Sequence, residues 1–236
     1  MEIILTGSIA YDYLMKFPGY FKDHILPEHL ESISLSFLVD DMVRQHGGVG
    51  ANIAYTLALL GAHPRLVSTA GQDFPEYQHK LEKVGVNTSG VRIIEEKFTA
   101  SFFVNTDRSN AQIASFYTGA MADSADVSLL DLGLTAQDLV VISPTDPRAM
   151  ARYIDECQQM GVPYLFDPGQ QIVRLDKDTL CKGALGAHAL FVEVVDTLAP
   201  LAEARVRQIF GDYSADLATL VTSAPLAGEA WQAGRQ

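Results

Sequence analysis

Short apolar runs that stop at a glycine or a small polar residue alternate along this chain with segments whose apolar positions recur every three or four residues. The first pattern is that of buried strands, the second that of helices packed on them. Ile3, Ile4 and Leu5 stop at Thr6-Gly7-Ser8, which predicts a strand ending in a turn, with Asp12 four residues beyond Ser8. Ile53, Leu57 and Leu60 follow Gly47-Gly48-Val49-Gly50-Ala51-Asn52 at helical spacing. That stretch reads as a flexible loop feeding a helix N-terminus, with Gly61 as the C-cap. Downstream, the pattern predicts strands at 65–69, 139–142, 163–166 and 189–192 and helices at 77–84, 147–160 and 179–185. The strand at 163–166 runs straight into Asp167-Pro168-Gly169-Gln170-Gln171.

Two regions break this rhythm. Tyr13, Met15 and Phe17, and then Ile33, Leu35, Phe37 and Val39, alternate with their neighbours at period two across a Pro18-Gly19 turn. Residues 13–46 therefore read as strands of a small sheet forming a hinged lid, or else as an edge hairpin of the main sheet. Two further strand-like runs, 98–105 and 112–117, are joined by a polar turn and carry Phe102, Phe103, Phe116 and Tyr117. Such rings are as a rule core. Alternating strands and helices with short connections imply an α/β fold, with a mostly parallel sheet covered on both faces. Ligands of such sheets bind beyond the carboxyl ends of the strands, so the polar clusters at 8–12, 47–52 and 167–171 should share one rim.

Composition narrows the partners. Hydrophobic residues make up 48% of the 236 and charged ones 19%, enough for a sizeable core and too apolar for a disordered chain. The net charge of −12 repels nucleic acid and anionic lipid, and no apolar run approaches the length of a membrane span. Cys157 and Cys181 lie in helix-like segments, so two buried thiols in a reducing, cytoplasmic setting are expected. No basic leader precedes the first strand, and a soluble protein is the expectation.

The glycine loop is not a familiar phosphate loop. A dinucleotide fingerprint needs glycine where Ile53 stands, and a P-loop needs a lysine, of which there is none between Met42 and Leu60. A loop with Asn52 in the first helical turn suits neutral hydroxyls better than a phosphate chain.

The pattern Gly47-Gly48, Gly50, Asn52, Ala54, Gly61 and Gly71 resembles the first signature of the ribokinase-like carbohydrate and nucleoside kinases of the phosphofructokinase-B type. The resemblance runs over 2–192. The wording at 7–12, 35–39 and 167–171 resembles bacterial adenosine-kinase-like members most. It implies a three-layer α/β sandwich with a mostly parallel central sheet and a small β lid, in which Asp12, Gly47, Gly48 and Asn52 hold sugar hydroxyls. Ser8, Ser36, Gln170 and Gln171 would add polar contacts, and Phe102 and Phe116 would sandwich a flat base. The implied reaction moves the γ-phosphoryl group of ATP, with Mg²⁺, to a hydroxyl of a nucleoside such as adenosine or of a sugar, with the lid also mediating a homodimer. The family's Gly-Ala-Gly-Asp segment, which holds its catalytic base, is missing, and Glu193-Val194-Val195-Asp196 stands where Asn-x-x-Glu is expected. The expectation is an incomplete ribokinase-like domain at 1–192, whose nucleotide-binding part is missing or replaced, and a divergent, helical or poorly ordered tail at 193–236. No catalytic or metal-ligating residue is assigned and ATP binding is doubtful. The alternative is a catalytically silent nucleoside- or sugar-binding or dimerising protein.

Overall fold

A computed structural model describes residues 1–25 and 34–191. The expected tail at 193–236 lies outside the described residues. Six parallel strands form the main sheet: β1 (Ile3–Thr6), β4 (Arg65–Gly71), β5 (Asn87–Ile94), β8 (Leu139–Ile142), β9 (Tyr164–Phe166) and β10 (Ala189–Leu190), in the order β10-β9-β8-β1-β4-β5. Helices α1 (Val49–Leu59) and α2 (Pro75–Lys83) and helices α3 (Pro147–Met160) and α4 (Lys177–Gly186) contribute to two separate cores. Adjacent residues of β1 show why both faces are apolar: Ile4 joins Val140, Ile142, Tyr153 and Phe166 in one core, and Leu5 joins Ala51, Ala54, Leu66 and Phe74 in the other. The helix ends obey local rules. Asp146 caps α3 by accepting from the Arg148 N–H, Asp176 caps α4 by accepting from Thr179, and Gly161 closes α3 in a left-handed conformation at φ 67°.

One strand of the main sheet has no signature in the hydrophobic pattern. The run Asn87-Thr88-Ser89-Gly90 opens β5, which is half exposed and lies at the sheet edge, where among the described residues only β4 pairs with it. An edge strand needs little apolar alternation, so its backbone pairing decides it.

A second, four-stranded sheet has the order β3-β2-β6-β7, from β2 (Ala10–Lys16), β3 (Asp41–Gly47), β6 (Ala100–Thr106) and β7 (Gln112–Tyr117). It is separate from the main sheet, and not an edge hairpin of it. Residues 34–39 form no strand: Phe37 instead packs its ring against Phe17 and Phe21, at 4.9 Å from each. The strand begins later, where Asp41 to Gly47 pair antiparallel with β2 without a break, Tyr11 opposite His46 and Lys16 opposite Asp41. The aromatic runs around 98–105 and 112–117 complete the same sheet, β6 beside β2 and β7 at the edge.

The two sheets meet where β1 turns towards β2. A Cβ on Gly50, in the first turn of α1, would fall 2.8 Å from the Gly7 backbone, and a Cβ on Gly48 (φ +88°) would meet the backbone of Ser8, Ile9 and Ala10 at 2.5–2.7 Å. Only glycine lets this helix start touch that turn. The expected outcome of Gly50→Ala is a loss of about 1–3 kcal/mol in urea unfolding, the usual cost of forcing an extra carbon into packed surroundings.

Candidate functional site

Ser8 organises the rim. Its hydroxyl accepts from the Val49 N–H at 3.1 Å, its carbonyl accepts from the Ala51 N–H at 3.3 Å, and its own N–H donates to the Pro144 carbonyl at 2.9 Å. The first turn of α1 is thus not an empty row of donors awaiting an anion, because two of its N–H groups are already bonded to Ser8. The neighbouring strand ends are tied in as well: Ser143 Oγ donates to the Thr6 carbonyl and Ser68 Oγ to the Gly7 carbonyl, both at 2.6 Å. A cleft of about 800 Å³ opens beyond these strand ends, between the main sheet and the small one.

The cleft brings together Ser8, Asp12, Gly48, Phe102, Phe116, Gln170 and Gln171. Asp12, Phe102 and Phe116 form one row across the small sheet, since Asp12 is in register with Phe102 on β6 and Phe102 with Phe116 on β7. Neither phenylalanine stacks on another ring among the described residues, so their faces stay open to a flat ligand; Phe116 is 50% exposed. Direct cross-strand neighbours stand side by side on one sheet face, which makes a platform the plainest use of this pair. Gly47 does not line the cleft but backs it, for a Cβ there would sit 2.4 Å from Asp12 Oδ2. Asn52 is turned elsewhere, exposed in a shallow depression with Val49, Ile53, Thr56 and Leu57. Ser36 is exposed in the irregular segment before β3 and does not line the cleft.

Six lining residues carry no sequence motif or were passed over: Ala10, Val49, Met121, Pro144, Arg174 and Phe191. Pro144 and Phe191 follow β8 and β10, so the strand-end rule could have found them. Arg174 ends the turn that begins with Gly169, three residues after Gln171. Asp167 and Gly169, from the same motif as the two glutamines, also line the cleft.

Burial raises the pKa of the Asp12 carboxyl. No donor among the described residues hydrogen-bonds to it, so its lone pairs face the cleft unused. Beneath it, the small sheet is fastened to α2. Tyr77 Oη donates to the Gly47 carbonyl at 3.0 Å and Tyr11 Oη to the Asp73 carbonyl at 2.9 Å. The His46 ring packs on Tyr77 at 4.3 Å, and Arg44 lies over the Tyr11 ring at 4.7 Å while pairing with Glu76. Burial pushes the Tyr11 hydroxyl up to about 12 and, with nearby Lys80, lowers the pKa of His46, so this hinge is neutral at its centre. Among the described residues no three His, Cys, Asp or Glu side chains cluster as metal ligands, and no helix is long and apolar enough to cross a membrane.

Three comparisons bear on this geometry. The model of the pfkB family of carbohydrate kinases matches residues 20–196. A nucleoside kinase of Methanothermobacter thermautotrophicus is 28% identical over 173 residues, 72% of this chain and 53% of its own length. The nucleoside kinase of Burkholderia thailandensis in complex with inosine superposes with a TM-score of 0.70 at 34% identity, over 86% of this chain and 63% of that one. The same enzyme is also solved in complex with ADP-inosine. The ribokinase of Thermotoga maritima, at 19% identity and a TM-score of 0.67 over 89% of this chain and 64% of its own, shares the fold. The chain spans about half the length of the curated relative and under two thirds of the inosine-bound one.

The raised Asp12 pKa has a consequence for the ligand-free protein. A carboxyl whose folded pKa lies above its unfolded value contributes stability at low pH and loses it as pH rises through the folded value. At neutral pH the buried charge is therefore a cost that an amide does not carry. The expected outcome of Asp12→Asn is a higher melting temperature at pH 7, the gain shrinking as pH falls towards the ordinary carboxylate range, as thermal melts at several pH values would read.

Proposed function

We propose, from the premise that this chain belongs to the pfkB family of carbohydrate kinases, that its cleft binds the sugar of a nucleoside or a related sugar and presents a hydroxyl for phosphorylation. The observation that carries this reading is Asp12: a half-buried carboxylate with no donor among the described residues, in one row with two open aromatic rings. A carboxylate so placed accepts from two vicinal hydroxyls and offsets part of its desolvation only when they arrive. The phenylalanine platform then takes a flat base, and Ser8, whose oxygen already accepts from Val49, retains a hydroxyl proton to donate. Gln170 and Gln171 supply amides at the far wall. Nucleosides, adenosine being one example, are favoured over bare sugars by the aromatic pair and by the two relatives above, a nucleoside kinase and one solved with inosine.

The family's reaction passes the γ-phosphoryl group of ATP to a primary hydroxyl: the hydroxyl oxygen bonds to phosphorus, the bond to the β-phosphate oxygen breaks, ADP leaves, and a base takes the hydroxyl proton. ADP in a relative's complex supports ATP as the donor. The described cleft does not fit a triphosphate by itself, since Arg174 is its one basic lining residue, and no described cluster fits Mg²⁺. The small sheet suggests a partner surface too. Met42, Phe103 and Ile113 are 59%, 37% and 42% exposed on the face opposite to Asp12, and they suit a homodimer through the lid.

Two measurements test the reading. Titrating the 236-residue chain with nucleosides should show saturable binding that Asp12→Asn abolishes, with a stabilisation of about 2.7 kcal/mol at a hundred times the dissociation constant. Because the sequence lacks the Gly-Ala-Gly-Asp segment, ATP turnover by this chain should stay at background. An absence of uptake among nucleosides and sugars would sink the binding reading, and robust turnover the second statement. For the lid, Ile113→Asp should move a sedimenting dimer to monomer without changing ligand affinity; an unchanged sedimentation profile argues against that surface.

A further inference from the structure

Which base enters the cleft depends, on the nucleoside reading above, on the polar groups that follow β9. The turn Gly169–Val173 carries Gln170 and Gln171 to the cleft wall and ends at Arg174. Arg174 is tied to Gln171 twice: its backbone N–H donates to the Gln171 carbonyl at 2.8 Å, and its Nη1 donates to the Gln171 side-chain oxygen at 3.3 Å. The next residue, Leu175, is 4% exposed and donates its own N–H to the same carbonyl, so the backbone beneath Arg174 is fixed in the core. Among the described residues Arg174 makes no ion pair, although it is the one cation lining a cleft in a chain of net charge −12.

These contacts fix the polarity of the wall. With its oxygen accepting from the guanidinium, the Gln171 amide has its NH2 group left to give, and the guanidinium has further N–H groups to give. The wall is thus a donor edge, and it needs adjacent acceptors. A 6-oxopurine offers O6 and N7 side by side, the pair that an arginine fork grips with two bonds. Adenine places an amino group, itself a donor, beside N7, and a pyrimidine has no N7. Asp167, on the same rim, can accept from N1–H of the oxopurine or from the adenine amino group, so it does not separate the two. We propose that Arg174, with Gln171, selects 6-oxopurine nucleosides of the inosine and guanosine type over adenosine.

Calorimetric titration of the 236-residue chain with inosine, adenosine and 7-deazainosine tests this, against the wild type and Arg174→Gln. The wild type should bind inosine about tenfold more tightly than adenosine, the low end of what a bidentate contact discriminates at an exposed site. Arg174→Gln should weaken inosine about tenfold and adenosine by less than about twofold, and 7-deazainosine, which lacks the N7 acceptor, should lose affinity for the wild type alone. Equal wild-type affinity for inosine and adenosine, or an equal loss of both in the variant, would overturn the assignment while leaving the nucleoside reading intact. Failure of all three ligands to bind the wild type would overturn both. Arg174 is exposed, so a melt matching the wild type confirms the variant's fold; should it fall short, the comparison of inosine with 7-deazainosine on the wild type decides.

Discussion

The contact on which the rest depends is backbone against backbone: the turn at Gly7–Ile9 against the start of α1 at Gly48–Gly50. No Cβ fits between them: one added at Gly48 or Gly50 would lie 2.5–3.0 Å from main-chain atoms. This approach lets Ser8 bond both Val49 and Ala51, and it sets the height at which α1 leaves the sheet. It also fixes the lid. Ala10 and Gly47, the first register pair of β2 and β3, flank the contact on either side, so the small sheet springs from the point where the large one ends. A glycine loop that reads like an anion site is here a shape device: its donors are largely consumed internally, and what it gives the cleft is closeness.

From that root, the lid carries a cost and its offset. Asp12 is held half-buried without a partner among the described residues, and its burial raises its pKa and subtracts from stability at neutral pH. Just below, Tyr11, Tyr77, Phe74 and His46 pack ring on ring, and both tyrosine hydroxyls find carbonyl acceptors. Aromatic pairs of this kind contribute of order 0.5–1.5 kcal/mol each beyond their buried area. A stiff hinge beside an unsatisfied carboxylate is the arrangement expected where binding free energy comes from a ligand completing what the fold left unbonded.

Much of this was legible because strand ends and helix starts leave marks in sequence. The strands at β1, β4, β8 and β9, the helices at α1 to α4, and the convergence of the 8–12, 47–52 and 167–171 clusters all follow from apolar periodicity and from glycine, proline and polar punctuation. The misses have physical reasons. β5 is an exposed edge strand held by its neighbour's backbone, and its polar opening hides it. At 34–39 a period-two pattern forms no strand, and Phe37 packs on the Phe17 and Phe21 rings instead. Asn52 sits on the right helix but lines the depression with Ile53, Thr56 and Leu57 and not the cleft; spacing gives its place on the helix, and only the docking of α1 decides which side meets the rim. Arg174 carried no motif at all; only the turn that links it to Gln171 brings it to the wall.

The charges of the cleft explain why an acidic protein suits a neutral ligand. Two lining carboxylates, Asp12 and Asp167, and one guanidinium, Arg174, leave no surplus of positive charge. Over the roughly 8 Å that salt allows a charge to act, these local groups outweigh the distant remainder of the −12 total. A phosphorylated compound entering here would bring its dianion towards Asp12 and be disfavoured, whereas a neutral polyol loses nothing and donates the hydroxyls that Asp12 lacks. Neutral and phosphorylated compounds are thus distinguished by the charge of a single side chain, the one that stands first in the row across the small sheet.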